Sequence, residues 1–209
     1  MEFLKKTYTV LAVILLSATV MTAQTAEKMR EAFKKSYANE LKGNYAGAIA
    51  DLQEIYKADS YECNLRLGWL YYSNKDNKNA RDYYQKACYL KPDSVEDRLG
   101  FVNPANADKK YDKTYQKYEE ILKIDPYNSV ANYWVGVNYY SIKKYDVAAK
   151  YFELVVNMYP FDYDGNHMLG WTYFYRGKTD QPKPGWKKPL LINPEDKSPK
   201  NGSPKRNYQ

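Results

Sequence analysis

A proline recurs at a fixed spacing of 34 residues, and this spacing constrains the fold more than any other feature of the 209-residue chain. The prolines that keep it are Pro92, Pro126, Pro160 and Pro194. Proline lacks the backbone N–H that a helix interior needs, so it is common just after a helix ends. A fixed period of about 20–50 residues is the signature of repeat architectures. Each interval is therefore predicted to hold one structural unit.

Small and large apolar residues recur in the same frame as the prolines. The small residues at predicted close approaches of two helices are Gly68, Gly136, Gly170, Ala48, Ala80 and Ala148. Tyr84 lies four residues after Ala80, and Phe152 lies four after Ala148, which places each pair on one helical face. One hairpin of two helices cannot bury its apolar face alone, whereas stacked hairpins can. The pattern predicts an all-α chain of stacked hairpins.

This pattern resembles the tetratricopeptide repeat, a family in which each 34-residue unit is a pair of antiparallel helices. The resemblance covers about 29–194. The units that match best are 61–94, 129–162 and the first half of 163–196, while 29–60 is two residues short. The resemblance implies a right-handed superhelical array of antiparallel helix hairpins, an α-solenoid, with about five repeats and the last one incomplete.

The third unit, 95–128, departs from the repeat. Its Leu99-Gly100 pair stands two residues earlier than the equivalent pairs in the other units. Pro104 falls within its first helix and is expected to break that helix. We therefore assign no partner-binding residue to this unit.

The last unit departs in a different way. Its predicted second helix, 180–191, contains three prolines, namely Pro182, Pro184 and Pro189. An interior proline costs roughly 3 kcal/mol in a helix, so this segment is expected to be irregular. The apolar face of the preceding helix would then have no second helix packed against it. Trp171 and Phe174 would be more exposed than in a complete array. The repeat domain is predicted over 24–194, followed by a basic disordered tail over 195–209.

The N-terminus has the features of an export signal. Lys5 and Lys6 precede an uncharged stretch over 7–26, and Ala23 is a small residue at the point of cleavage. Residues 1–23 are therefore predicted to be a signal peptide, with the protein exported to the periplasm or associated with a bacterial cell envelope. The alternative is that the segment stays as an N-terminal anchor, because it is just long enough to span a bilayer.

The net charge of +7 does not belong to the repeats. Residues 1–23 carry +1, residues 176–209 carry +6, and the intervening 24–175 are neutral. A nucleic-acid-binding domain normally carries its excess positive charge on the folded body. The distribution therefore argues against specific binding of nucleic acid.

The sequence contains few residues suited to metal binding or catalysis. His167 is the only histidine, and Cys63 and Cys88 are the only cysteines. There is no phosphate-binding glycine loop and no metalloprotease or hydrolase motif. We expect no metal, no cofactor and no enzymatic activity. The two cysteines lie near the start of one helix and the end of its antiparallel partner, so an oxidising compartment would allow a disulfide between them.

The resemblance also implies where a partner would bind. In tetratricopeptide repeats the first helix of each unit forms most of a concave groove. The groove residues carried over by register are Phe33, Tyr37, Leu65, Trp69, Tyr72, Tyr133, Tyr140, His167, Trp171 and Phe174. Aromatic anchors on a rigid face suit an extended peptide or an amphipathic helix. The alternative is that several of these rings pack internally against neighbouring units. The expected function is a non-enzymatic scaffold for a protein or peptide partner. A glycan-binding module and an RNA-binding helical repeat are the alternatives.

Overall fold

The computed structural model describes residues 25–177, and every regular element in that span is an α-helix. The helices are α1 (25–41), α2 (Tyr45–Gln53), α3 (Tyr61–Ser73), α4 (Asn77–Leu90), α5 (Glu96–Ala107), α6 (Tyr111–Ile124), α7 (Ser129–Ser141), α8 (Tyr145–Met158) and α9 (Tyr163–Tyr175). This confirms the all-α helical-repeat class. The predicted signal peptide, the proline-containing segment 180–191 and the tail 195–209 lie outside the described residues.

The helices fall into two compact units that divide after Pro92. Unit 1 contains α1–α4, and its core is an aliphatic cluster that includes Leu52, Leu67 and Leu70. Unit 2 contains α5–α9 and has two buried clusters. One forms around Tyr118 and Val135, and the other around Phe152 and Leu169. Each unit buries the apolar faces that its sequence repeats at helical spacing.

Two glycines allow the helices of a hairpin to approach closely, as the sequence predicted. A Cβ at Gly68 would lie 2.8 Å from the Tyr84 ring, and a Cβ at Gly136 would lie 2.8 Å from the Phe152 ring. Real Cβ atoms do not approach so closely, so a side chain at either position would push the two helices apart. The same small-residue contact therefore sets the helix spacing in both units.

Two predictions about the third hairpin were wrong. Pro104 does not break α5, which continues to Ala107. It lies in the last turn of the helix, so only a few residues follow the missing N–H. The hairpin also keeps the 34-residue register, since α6 begins 34 residues after α4 and 34 before α8. Val102, rather than Gly100, stands at the position of Gly68, and it packs in one buried cluster with Tyr118.

The turn between hairpins is held by a buried asparagine that our sequence analysis missed. Asn64, Asn132 and Asn166 are fully buried and lie at matching repeat positions. Each side-chain amide donates to two turn carbonyls, and for Asn132 these are on Pro126 and Asn128, both at 2.9 Å. The same two bonds recur at Asn64 and Asn166. The 34-residue recurrence of asparagine was the signal that would have found them.

The third hairpin has Arg98 at this asparagine position. Its guanidinium donates to the carbonyl of Ser94 at 2.6 Å and also reaches the carboxylates of Asp97 and Glu120, both at 3.3 Å. Lys117 completes the group with a 2.8 Å ion pair to Glu120. Two acids and two bases therefore balance in a largely buried setting, where an unpaired charge would be costly.

One residue in the left-handed conformation follows the end of each first helix. These residues are Gly43, Lys75, Lys109, Lys143 and Gly177, with φ between 57° and 79°. Glycine adopts this conformation without steric cost, whereas a residue with a Cβ is strained there. Three of the five described turns therefore place lysine where glycine would be less strained.

Candidate partner-binding faces

In unit 1 the predicted groove residues lie on the neighbouring first helices α1 and α3. Tyr37 and Trp69 are the most exposed of them, at 50% and 42%, and Phe33, Leu65 and Tyr72 are half-buried. The rings of Phe33 and Tyr37 lie 6.5 Å apart, and those of Trp69 and Tyr72 lie 6.4 Å apart. Unit 1 thus places two aromatic pairs, one from each helix, on a partly exposed face.

Glu40 connects the two helices beneath this face. Its carboxylate accepts a hydrogen bond from the Trp69 indole N–H at 2.6 Å and forms an ion pair with Arg66. The Arg66 guanidinium in turn lies 4.0 Å from the centre of the Tyr37 ring, a cation–π contact. One carboxylate on α1 therefore fixes the orientation of two side chains on α3. We call Glu40, Arg66, Trp69 and Tyr37 the Glu40 clamp.

The clamp favours the ionised form of Glu40. Burial alone would raise the pKa of this carboxyl group, but the hydrogen bonds from Arg66 and Trp69 outweigh burial and hold the pKa below its ordinary value of 4.5. The carboxylate is therefore charged at neutral pH. Its charge is matched by Arg66, so the rings are the main feature that this face offers a partner.

In unit 2 the predicted groove residues Tyr133 and Tyr140 pack against rings outside the predicted groove. Tyr133 contacts the ring of Phe152 at 5.9 Å, which turns it toward the core between α7 and α8. Tyr140 contacts Tyr145 at 5.5 Å and Tyr175 at 6.1 Å, and burial raises the pKa of its hydroxyl, with the two neighbouring tyrosines adding to the shift. These rings contribute to packing more than to an open surface.

Trp171 is only 2% exposed, contrary to the expectation of greater exposure, whereas Phe174 is 42% exposed. The Trp171 ring packs against Phe174 at 5.7 Å and Tyr175 at 5.9 Å. Its indole N–H donates to His167 Nε2 at 3.1 Å. His167, the one histidine, is therefore a packing and hydrogen-bonding partner of a buried tryptophan.

The remaining sequence predictions concern cysteines, metals and membranes. Cys63 and Cys88 are both buried, in α3 and α4, and the disulfide between them stays a prediction. Across residues 25–177, His, Cys, Asp and Glu form no group that would hold a metal ion. Over the same span, no helix combines the length and apolarity needed to cross a bilayer.

Comparisons with known proteins agree with the repeat assignment. Two sequence profiles described as "Tetratricopeptide repeat" match residues 42–95 and 130–162. No curated protein sequence matches the chain. The two matches cover the repeats that resemble the family best, 61–94 and 129–162.

Solved structures share the fold at low sequence identity. A crystal structure of MamA is 20% identical, with a TM-score of 0.67, and the match covers 80% of this chain and 92% of that one. A tetratricopeptide repeat protein from Parabacteroides merdae ATCC 43184 is 17% identical, with a TM-score of 0.70 and coverage of 81% and 68%. At such identities the similarity shows a common helical-repeat fold.

Proposed function

The chain is a tetratricopeptide repeat protein, and from this premise we propose that it is an exported scaffold that binds a protein or peptide segment on the first-helix face of unit 1. The fold suggests a protein–protein interaction scaffold, and the family is generally non-enzymatic, which supports the proposal. The observation that carries the proposal is the Glu40 clamp, which holds the half-exposed Trp69 in one orientation. A pre-oriented aromatic ring binds with little loss of side-chain entropy.

The face suits an apolar or aromatic segment better than a charged one. Glu40 and Arg66 neutralise each other, so neither charge is left to recognise a charged group on the partner. Tyr37 and Trp69 supply ring surface on either side of this pair. An extended peptide or an amphipathic helix with apolar anchors at regular spacing fits this arrangement.

Peptides selected from a random display library on the chain 24–209 test the assignment. Trp69→Ala is expected to weaken binding of the selected peptides by about 30-fold, as for a central aromatic anchor. The matched control is Tyr89→Ala on the second helix α4, because Tyr89 is 76% exposed and lies outside the first-helix face. Equal affinities for both variants and the wild type would remove unit 1 as the binding face.

The same variants separate the alternative functions. A glycan-binding module would retain oligosaccharides on an array in a Trp69-dependent way and would select no peptide. An RNA-binding repeat would bind single-stranded RNA in a Trp69-dependent way and would select no peptide. Either result would replace the peptide-scaffold proposal.

We propose export on the sequence features of residues 1–23, and mass spectrometry of the protein from a periplasmic fraction tests it. A mature chain that begins at Gln24 is the expected result. An intact Met1 in a membrane fraction would favour the anchor instead. This test is independent of the binding assay, so the two parts of the proposal can fail separately.

A further inference from the structure

The topology of unit 2 gathers the turns inside its hairpins at one end. Successive helices run antiparallel, so the α5–α6 turn, the α7–α8 turn and the end of α9 lie on the same side. Contacts between α8 and α9 support this placement, since the rings of Tyr145 and Tyr175 lie 5.6 Å apart and Arg176 forms an ion pair with Asp146. The turns between hairpins lie at the opposite end.

This end of unit 2 is rich in exposed lysine, and we call it the lysine end. Its basic residues are Lys109, Lys110, Lys113, Lys143, Lys144 and Arg176, against Asp108, Asp112 and Asp146, for a net charge of +3. Among the described residues, the side chains of Lys109, Lys110, Lys143 and Lys144 form no ion pair, and all four are exposed. Their charges are therefore available to an anionic partner.

Exposed apolar side chains stand beside these lysines. Tyr111 is 62% exposed and directly follows Lys110, and Ile142 is 53% exposed and directly precedes Lys143. Lysine near an apolar or aromatic residue is a combination suited to a membrane interface, where the ring or alkyl group enters the boundary region and the ammonium group stays at the headgroups. A polyanion such as a nucleic acid would use the charges but leave Ile142 in water.

The opposite end of unit 2 has the other sign of charge. Asp125 lies in the turn before α7, and Asp162 and Asp164 lie in or next to the turn before α9. These carboxylates would be repelled by an anionic surface. The opposed charges of the two ends give unit 2 one favoured orientation toward such a surface.

We propose that the lysine end of unit 2 docks on an anionic lipid bilayer. Lys109, Lys110, Lys143 and Lys144 lie at the level of the headgroups, and Tyr111 and Ile142 enter the interface. Each lysine near such a surface strengthens binding several-fold at physiological salt, and the two apolar groups add a contribution that salt does not screen. The proposal does not depend on the peptide-binding face of unit 1.

Vesicle sedimentation tests the proposal with the chain 24–209, which contains both described units and lacks the apolar N-terminus. The vesicles are phosphatidylcholine alone or phosphatidylcholine with phosphatidylglycerol. The Lys110→Gln/Lys144→Gln variant is expected to bind the anionic vesicles about tenfold more weakly than wild type. The matched control is Lys123→Gln/Lys150→Gln, which removes the same charge from the same two helices, away from the lysine end, and is expected to stay within about threefold of wild type.

A second variant separates a bilayer from a polyanion. Tyr111→Ser/Ile142→Ser keeps every charge, and it should weaken vesicle binding while leaving retention on heparin unchanged. Circular dichroism confirms that each variant keeps its helices. Equal losses in the two lysine variants would overturn the proposal. So would unchanged vesicle binding in the serine variant, because the charges alone would then account for the attraction.

Discussion

Trp69 and Trp171 stand at the same repeat position, each six residues before the left-handed residue that follows its helix, yet one is half-exposed and the other is buried. Trp69 in unit 1 donates its indole N–H across to Glu40 on the neighbouring helix. Trp171 in unit 2 donates to His167, one turn earlier on its own helix. The same residue in the same frame therefore has two different environments.

The preceding first helix also differs between the two units, at one repeat position. Glu40 lies three residues before Gly43, and Tyr140 lies three residues before Lys143, so the two are equivalent. A carboxylate accepts hydrogen bonds at the edge of a ring and leaves the ring face open. A tyrosine adds another ring, and Tyr140 joins Tyr145 and Tyr175 in a packed group. Trp171 packs against Phe174 and Tyr175 of its own helix, and Tyr140 packs against the same Tyr175, so a cluster of rings stands where unit 1 has the Glu40 clamp.

The largest expected effect is the loss of the buried ring. Trp171→Ala should reduce the free energy of unfolding by about 3–5 kcal/mol, because it removes a large side chain from a packed site. Trp69→Ala should cost about 1 kcal/mol or less, since its ring is half-exposed. Urea denaturation followed by circular dichroism measures both. Similar losses for the two variants would show that the two tryptophans have equivalent roles.

Glu40→Gln is the next largest change. The amide leaves the largely buried Arg66 without its counter-charge, so we expect a loss of about 2 kcal/mol in the free energy of unfolding. Tyr140→Phe in unit 2 serves as the matched control at the equivalent position, and it should change stability by less than about 1 kcal/mol. A near-zero effect of Glu40→Gln would mean that the clamp does not hold α1 against α3.

The pH dependence of stability tests the clamp in a second way. The folded chain holds the pKa of Glu40 below 4.5, so the ionised carboxylate contributes stability that is present at neutral pH and is lost as the pH falls through the folded pKa. The Trp69 indole N–H resonance should shift over the same range, assigned through Trp69→Phe. Glu40→Gln should abolish that shift, and a shift that persists would point to another titrating group.

Much of the fold was predictable because it depends on periodic residues. The proline spacing, the glycines at 68 and 136 and the apolar residues four apart each act locally or through one neighbouring helix. The third hairpin was harder, because Leu99-Gly100 imitates the marker pair while Phe101 and Val102 occupy its place. Pro104 was misjudged because its effect depends on how near it lies to the helix end.

The candidate site was less predictable than the fold. Register alone gives Trp69 and Trp171 the same position in their repeats, but their exposure depends on which side chains surround each ring. Glu40 and Tyr140 differ in chemistry at one register position, and nothing in the repeat pattern says which neighbour will cover a ring. That information is found by comparing equivalent positions in different repeats. Positions within one repeat do not give it.

A position that is the same in both units sets the baseline for the tryptophan comparison. Asn64 in unit 1 and Asn132 in unit 2 make the same pair of hydrogen bonds to turn carbonyls, and Asn64 also accepts one from the Tyr56 hydroxyl at 3.1 Å. Asn132→Ala should therefore cost about 1–2 kcal/mol in urea denaturation, and Asn64→Ala about 1 kcal/mol more. A larger cost at Asn132 than at Asn64 would mean that the two units differ in their general tolerance of change, and the contrast between the tryptophans would lose its meaning.

The smallest expected effect is a gain in stability at the hairpin turns. Lys75 in unit 1 and Lys143 in unit 2 are both in the left-handed conformation, so Lys75→Gly and Lys143→Gly should each raise the free energy of unfolding by about 0.5–1 kcal/mol. In vesicle binding the two variants should differ, because only Lys143 belongs to the lysine end. A stabilised Lys143→Gly chain with weakened binding would show that this turn keeps a strained lysine for its charge. If Lys143→Gly is more stable and binds vesicles as well as wild type, the strain at Lys143 is not explained by membrane binding. If Lys75→Gly weakens vesicle binding as much as Lys143→Gly, the vesicle contact is not confined to unit 2.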